Sequence, residues 1–220
     1  MTSARQSDLR GKTAFVTGGG GVLCGCMAQA LAQQGVRVAV TDRRLEAADR
    51  IVAEIGESGG EAIAVACDVL DRDSLETARD TVSGKFGPVD ILVNGAGGNH
   101  PKGTTSTEHL QINDLDAGGK DCKTFFDLDP EGLRFVFDLN FLGTFLTCQV
   151  VAKDMARRGG GAIINISSMN AFKPLTKIPA YSAAKAAVSN FTQWLAVYLS
   201  PTGIRVNAIA PGFFVTEQNR

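Results

Sequence analysis

The chain is poor in the residues that build metal centres and disulfide frameworks. It holds two histidines, His100 and His109, and five cysteines with no Cys-x-x-Cys among them. An odd cysteine count without paired spacing argues against a secreted disulfide scaffold and for a reducing compartment, with the thiols used as small core residues. A cytoplasmic location is the expectation. Neither histidine lies near a cysteine pair, so no metal site is expected. Charge of one sign is also missing. The net charge is -1, which leaves no basic field to hold nucleic acid or an anionic membrane. No unbroken apolar run approaches the roughly 20 residues of a membrane span. The N-terminal MTSARQSDLRGK has no apolar centre and so does not read as a secretory signal. What remains is a chain of 220 residues, 44% hydrophobic and 20% charged, sized for a single α/β domain with a substantial core.

Short apolar runs alternate with longer helical segments. Lys12–Thr17, Val36–Thr41, Ala62–Cys67, Asp90–Val93, Ala162–Ile166 and Ile204–Ile209 read as strands. Cys24–Gln34, Leu45–Ser58, Asp71–Lys85, a long stretch within Pro130–Arg157, and Ala180–Leu199 read as helices, with Gly35 placed to end the first. Strands that are apolar without clean alternation indicate a sheet buried on both faces. The βαβ rhythm predicts a Rossmann-type, doubly wound parallel sheet with helices on both faces and ligands at the carboxyl ends of its strands. One segment breaks the rhythm. Gly97–Thr124 is long and polar, with an insertion at about 98–124, and loops of that length in compact domains are usually functional or disordered.

Thr17-Gly18-Gly19-Gly20-Gly21-Val22-Leu23-Cys24-Gly25 joins the first strand to the first helix. Glycines there let backbone approach a pyrophosphate, and the helix N-terminus offers free N–H groups. Asp42 ends the second strand, where a carboxylate accepts from ribose hydroxyls and repels a 2′-phosphate, favouring NAD; Arg43 and Arg44 keep NADP as the alternative. Tyr181 and Lys185 form a Y-x-x-x-K whose members share a helix face. A nearby ammonium favours the phenolate of a tyrosine that otherwise ionises near pH 10. Ser168 stands thirteen residues before Tyr181, and Asn140 lies further upstream.

Together these features resemble the short-chain dehydrogenase/reductases over essentially the whole chain. The family's cofactor loop is T-G-x-x-x-G-x-G. Here Gly18 matches, Gly20 and Gly21 neighbour the phosphates by position with Val22 and Leu23, and the second and third glycines fall on Val22 and Cys24. Asp68-Val69 resembles the pair that meets the adenine. Asn94-Gly95-Ala96-Gly97 resembles N-N-A-G, with Gly95 replacing the second Asn. Pro211-Gly212 resembles the turn beside the nicotinamide, and Thr216 a threonine on the carboxamide. The resemblance implies an NAD(P)-dependent alcohol dehydrogenase or carbonyl reductase with an Asn140-Ser168-Tyr181-Lys185 catalytic set. In it Ser168 and Tyr181 hold the substrate oxygen, Tyr181 moves the proton, Lys185 binds the nicotinamide ribose and Asn140 holds a relay water. It also implies a homotetramer or homodimer paired through the long helices, and a C-terminal lid and last strand that this sequence does not contain.

The insertion carries His100, Lys102, Thr104, Thr105, His109, Gln111 and Asn113, a set suited to a polyol chain and a carboxylate, or equally to a solvated loop. With the Gly-Gly-Gly-Gly-Val-Leu-Cys loop it resembles the branch of D-mannonate oxidoreductases or fructuronate reductases, which would make His100, Lys102 and Ser168 the substrate contacts. A reductase of simple ketones or 3-oxoacyl thioesters is the alternative, and a non-catalytic nucleotide-binding regulator a third reading.

Overall fold

Alternate side chains of the first strand point to opposite faces, and each face carries its own layer of helices. The computed structural model describes residues 9–116 and 122–214. Its strands are β1 Thr13–Thr17, β2 Arg37–Asp42, β3 Ala62–Ala66, β4 Ile91–Asn94, β5 Gly161–Ile166 and β6 Ile204–Ile209. They form one sheet in the order β3-β2-β1-β4-β5-β6, all parallel. The order reverses between β1 and β4, and the crevice beyond their carboxyl ends is where such a sheet takes a ligand.

The helices are α1 Val22–Gln33, α2 Leu45–Glu57, α3 Arg72–Phe86, α4 Pro130–Phe137, α5 Gly143–Arg158 and α6 Pro179–Leu199. Ala14 and Val16 of β1 pack with Ala28 of α1 and Ile51 and Ile55 of α2. Phe15, between them, packs on the other face with Leu75 of α3, Met155 of α5 and Phe191 and Leu195 of α6. Each of these buried side chains larger than alanine is worth about 1.5–3 kcal/mol over leaving it in water, and the two-sided burial explains why the strands read as continuous apolar runs. Gly35, at φ +78°, ends α1 as expected, its N–H donating to the Ala32 carbonyl at 2.9 Å.

Two segments depart from the sequence reading. The helix expected within Pro130–Arg157 runs to Arg158 but is interrupted by a π turn over Asp138–Leu142, between α4 and α5. Such widened turns cluster at functional sites, and this one carries Asn140. The helical stretch Pro130–Arg158 is also long and apolar enough to cross a membrane by length and composition, with half of its apolar 18-residue window buried in the protein. The sequence shows no unbroken apolar run there because Asp138, Asn140 and Gln149 interrupt it.

The insertion is folded rather than structureless over its described residues. It contains short 3-10 turns at Pro101–Gly103 and Ile112–Leu115, and a third, Phe125–Asp127, follows it. The Thr105 N–H donates to the Lys177 carbonyl at 2.9 Å and that of Ser106 to Lys123 at 2.8 Å, which ties the insertion to the loop before α6. A Cβ on Gly132 would stand 2.6 Å from the Lys102 Cβ, so the glycine lets the insertion sit directly on α4. Phe141 and Phe145, candidates for an oligomer contact, pack against the core, and Phe135 lies 4.9 Å from the His100 ring. On α6, Trp194 and Tyr198 stack at 4.9 Å and are both exposed.

Candidate active site

The glycine loop is shaped by contacts that a side chain would block. Gly18 has φ +63°, and a Cβ there would stand 2.9 Å from the Ala96 Cα; one on Gly20 would stand 2.6 Å from the Ala47 Cβ. Helix α1 opens at Val22, two residues before the expected start, with Gly21 extended, no side-chain cap and no acidic residue in its first turn. Its N–H groups and dipole are therefore left for an anion. Asp42 stands beside this loop. Its two carboxylate oxygens accept from the Gly20 N–H at 3.2 Å and the Arg44 N–H at 3.0 Å, while Arg50 donates to the Gly20 carbonyl at 3.0 Å. Thr17 ties β1 to β4, its hydroxyl accepting from the N–H groups of Gly95 at 3.0 Å and Ala96 at 3.2 Å. Asp68 at the end of β3 accepts from the Leu70 N–H at 2.9 Å, and Val69 is buried against Gly143.

The departure from N-N-A-G has a physical counterpart. A Cβ built on Gly95 would overlap the Sγ of Cys24. Cys24 occupies a position where the cofactor-loop pattern has glycine, and Gly95 one where that pattern has asparagine. The buried thiol fills the space that a side chain at 95 would need. Burial pushes its pKa up to about 11, with nearby Lys185 opposing.

Asn94 turns its side chain away from the crevice. Its Nδ2 donates to Asn165 Oδ1 at 2.9 Å and lies 3.1 Å from the Cys148 Sγ. Asn165 in turn donates to Thr192 at 2.9 Å, so this buried chain links β4, β5 and α6 beneath the site. The sequence pattern of spaced Asn and Thr does not reveal it, because its members belong to three separate elements.

Ser168, Tyr181, Lys185 and Asn140 converge. The Ser168 hydroxyl accepts from the Asn170 N–H at 3.2 Å, which leaves its own proton free to donate. It also opposes the upward pKa shift that burial imposes on the Tyr181 phenol. Lys185 is almost fully buried, donates from Nζ to the Ile166 carbonyl at 2.8 Å and stands 5.6 Å from the centre of the Tyr181 ring. Burial pulls its pKa down to about 8, because a dry surrounding disfavours the ammonium. Asn140 is fully buried. Its Nδ2 donates to the Gly98 and Val136 carbonyls at 2.7 and 2.8 Å, and its Oδ1 accepts from the Gly98 N–H at 3.2 Å. The amide thus clamps backbone. A Cβ on Gly97 would lie 2.5 Å from Asn140 Oδ1 and 3.2 Å from Lys185 Nζ, so only glycine fits where the two side chains meet. Pro211 closes the far side, its carbonyl accepting from the Met169 N–H at 3.0 Å, with Gly212 beyond it.

The insertion residues are placed less directly. His100 Nδ1 accepts from the Lys102 N–H at 3.1 Å, which puts the ring proton on Nε2. Lys102 reaches Asp129 at 3.1 Å and Glu131 at 3.2 Å; these carboxylates raise its pKa and already balance its charge. Thr216 lies outside the described residues. Among the described residues no three His, Cys, Asp or Glu side chains gather as metal ligands.

The family model for the short chain dehydrogenases matches residues 12–220. An uncharacterized oxidoreductase of Haemophilus influenzae is 54% identical over 219 residues, spanning 100% of this chain and 75% of its own length. Among solved structures, that of a candidate D-mannonate oxidoreductase from Haemophilus influenza with bound NAD superposes with a TM-score of 0.90 at 54% identity, over 96% of this chain and 74% of that one. An NAD⁺-bound xylitol dehydrogenase follows with a TM-score of 0.81 at 30% identity, over 94% of this chain and 72% of its own.

Proposed function

The chain belongs to the short-chain dehydrogenase family, and from that premise we propose that it interconverts a secondary alcohol and a ketone with NAD, on a sugar acid of the D-mannonate/D-fructuronate kind. The observation that carries the reaction is the meeting of Ser168, Tyr181 and Lys185 at the carboxyl end of β5, with Asn140 and Gly97 behind them. Similarity to the NAD-bound candidate D-mannonate oxidoreductase supports the substrate class.

The residues present fit the cofactor. The uncapped start of α1 and the side-chain-free cradle at Gly18, Gly20 and Gly21 suit a pyrophosphate, with Val22 and Leu23 as first-turn N–H donors. Asp42 suits the adenosine ribose, Asp68 and Val69 the adenine, Ala96 and Gly97 the nicotinamide side, and Lys185 its ribose. Pro211 and Gly212 wall the nicotinamide. When bound, NAD supplies the hydride acceptor at nicotinamide C4.

Ser168, held as an acceptor by the Asn170 N–H, donates its proton to the substrate oxygen and stabilises the developing alkoxide. Tyr181 takes the alcohol proton in oxidation and returns it in reduction. Burial alone opposes phenolate formation, so the Ser168 hydroxyl and the Lys185 charge must lower its cost together. Asn140 is a positioning residue that holds Gly97–Gly98 against Lys185. The exposed Trp194–Tyr198 stack supports pairing of copies through the long helices.

The test is a panel of D-fructuronate, simple ketones and a 3-oxoacyl thioester with NADH and with NADPH, run on the wild-type protein and on Tyr181→Phe. Selective NADH oxidation with fructuronate is expected, falling by about 10²–10⁴-fold in the variant with NADH affinity retained. Wild-type-like turnover in Tyr181→Phe would refute the proton role. Selectivity for a plain ketone or thioester would overturn the substrate, and no turnover of any carbonyl would favour a nucleotide-binding regulator.

A further inference from the structure

The Lys185 carbonyl lies in the interior of α6, where the helix itself supplies a hydrogen-bond donor. Two further hydroxyls reach it. Ser189 Oγ stands 3.2 Å away, the ordinary back-bond of a serine one helical turn on. Ser167 Oγ stands 3.1 Å away and comes from outside the helix, from the first residue past β5. The two hydroxyls are 2.6 Å apart, a separation at which a proton lies between them. Their two protons therefore serve three contacts. One hydroxyl donates to its fellow and the other to the carbonyl. Whichever way the pair turns, Ser167 stays bonded to α6.

Ser167 is equally part of the sheet. It is 2% exposed, and its peptide N–H donates to the Ile209 carbonyl of β6 at 2.8 Å. The residue before it, Ile166, accepts the Lys185 ammonium at 2.8 Å. Consecutive residues at the end of β5 thus hold Lys185 at both ends, one at the tip of its side chain and one at its backbone. A lysine stem is flexible, so its tip is fixed only while backbone and acceptor keep their separation. The Ser167 hydroxyl keeps it, because it ties the Lys185 turn to the strand end that supplies the acceptor.

We propose that Ser167 is a positioning residue of the reaction, its hydroxyl locking the Lys185 turn of α6 to the end of β5 so that the ammonium stays beside Tyr181. The inference rests on the proposed roles of Tyr181 and Lys185 and does not depend on the substrate. Ser189 is the lesser member of the pair. Without it, Ser167 still reaches the carbonyl directly. Without Ser167, the remaining hydroxyl bonds only within its own helix and the tie to the sheet is gone.

The experiment is a double-mutant cycle of Ser167→Ala and Lys185→Met, with Ser189→Ala beside it. It reads kcat on the carbonyl that the panel above identifies, D-fructuronate as expected, and NADH affinity by fluorescence titration. Ser167→Ala is expected to lower kcat by about 3–10-fold and to weaken NADH binding by about 2–3-fold, factors within the span of one net hydrogen bond. In the Lys185→Met background the same change should alter neither, because the effects of residues that act through one another do not add. Ser189→Ala should cost less than Ser167→Ala. Equal losses with and without Lys185 would mark Ser167 as structural and overturn the assignment. So would a Ser167→Ala protein with wild-type kcat and NADH affinity, or a larger loss from Ser189→Ala. The NADH titration decides by itself where turnover is too slow to measure. Should Ser167→Ala not fold, Ser167→Cys, whose thiol donates weakly, takes its place in the cycle. Wild-type kcat and affinity in Lys185→Met would remove the roles from which the inference starts, whereas a Lys185 effect without a Ser167 effect removes this inference alone.

Discussion

Replacing Gly95 with alanine should destabilise the protein, and removing the Cys24 side chain should abolish the clash that causes the loss, leaving the two changes less than additive. Gly95 is outside the positive-φ glycines, so its backbone tolerates an L residue, and the change even lowers unfolded-chain entropy by about 0.4–1 kcal/mol in favour of folding. What opposes it is contact alone. The new Cβ would overlap Cys24 Sγ and stand 3.0 Å from the Thr17 carbonyl. Moving away from Cys24 means shifting the Gly95 and Ala96 N–H groups off the Thr17 hydroxyl. Overpacking of this kind costs about 1–3 kcal/mol, so a net loss of about 1–2 kcal/mol is expected. For a domain of this size that lowers Tm by about 2–8 °C. Cys24→Gly alone loses a buried thiol and places glycine in a helix, at about 1–3 kcal/mol. In the double variant the clash is gone, so the effects should fall short of additivity by about 1–2 kcal/mol. Urea denaturation of the four proteins, with NADH titration as a check on the loop, completes the cycle. Strict additivity, or a Gly95→Ala protein as stable as wild type, would refute the space-sharing argument.

Two further outcomes follow from the site's electrostatics. Lys185 has its pKa pulled from 10.5 to about 8, so between those values the unfolded chain binds more protons than the folded one and stability gains with rising pH. The stability of wild type minus that of Lys185→Met should therefore be flat below about pH 8 and grow towards pH 10.5, the Cys67 and Cys148 titrations cancelling in the difference and that of Cys24, which Lys185 opposes, adding in the same direction; a constant or falling difference in urea denaturation would contradict the buried ammonium. Asp42→Ala removes the carboxylate facing the ribose position and leaves Arg43 and Arg44 beside it, so the NADPH-to-NADH ratio of kcat/KM should rise by about ten-fold or more. An unchanged ratio would mean that Asp42 only fastens the glycine loop.

Most of the sheet was legible because each strand's signal is local: an apolar run buried on both faces, bounded by a helix cap or a glycine. The strands and helices fall within one or two residues of the expected limits for that reason. The π turn at Asp138–Leu142 was not legible, since one extra residue per turn leaves no compositional trace and Asn140 alone hinted that the helix does something there. The Tyr181–Lys185 pair was visible through its helical spacing. The clamp of Asn140 on Gly98 joins distant segments and was not, so Asn140 read as a water ligand although its amide is taken by backbone.

Pairings across the fold explain the remaining departures as well. Lys102 read as a candidate substrate contact, its ion pairs unseen because Asp129 and Glu131 lie on the far side of the insertion and meet it only after the loop lies against α4. Asn94 read as a cofactor contact because its place at the end of β4 is right, while its direction is decided by Asn165 in the neighbouring strand. Val22, Cys24 and Gly95 read as separate lapses, the first two from a glycine pattern and the third from N-N-A-G. For the last two the structure supplies one cause: the loop's missing glycine and the strand end's missing asparagine exchange volume at a single point. A pattern read position by position counts two defects there, whereas close packing requires only that the shared space be filled once. The loop can therefore depart from the pattern and still present the uncapped start of α1 to an anion.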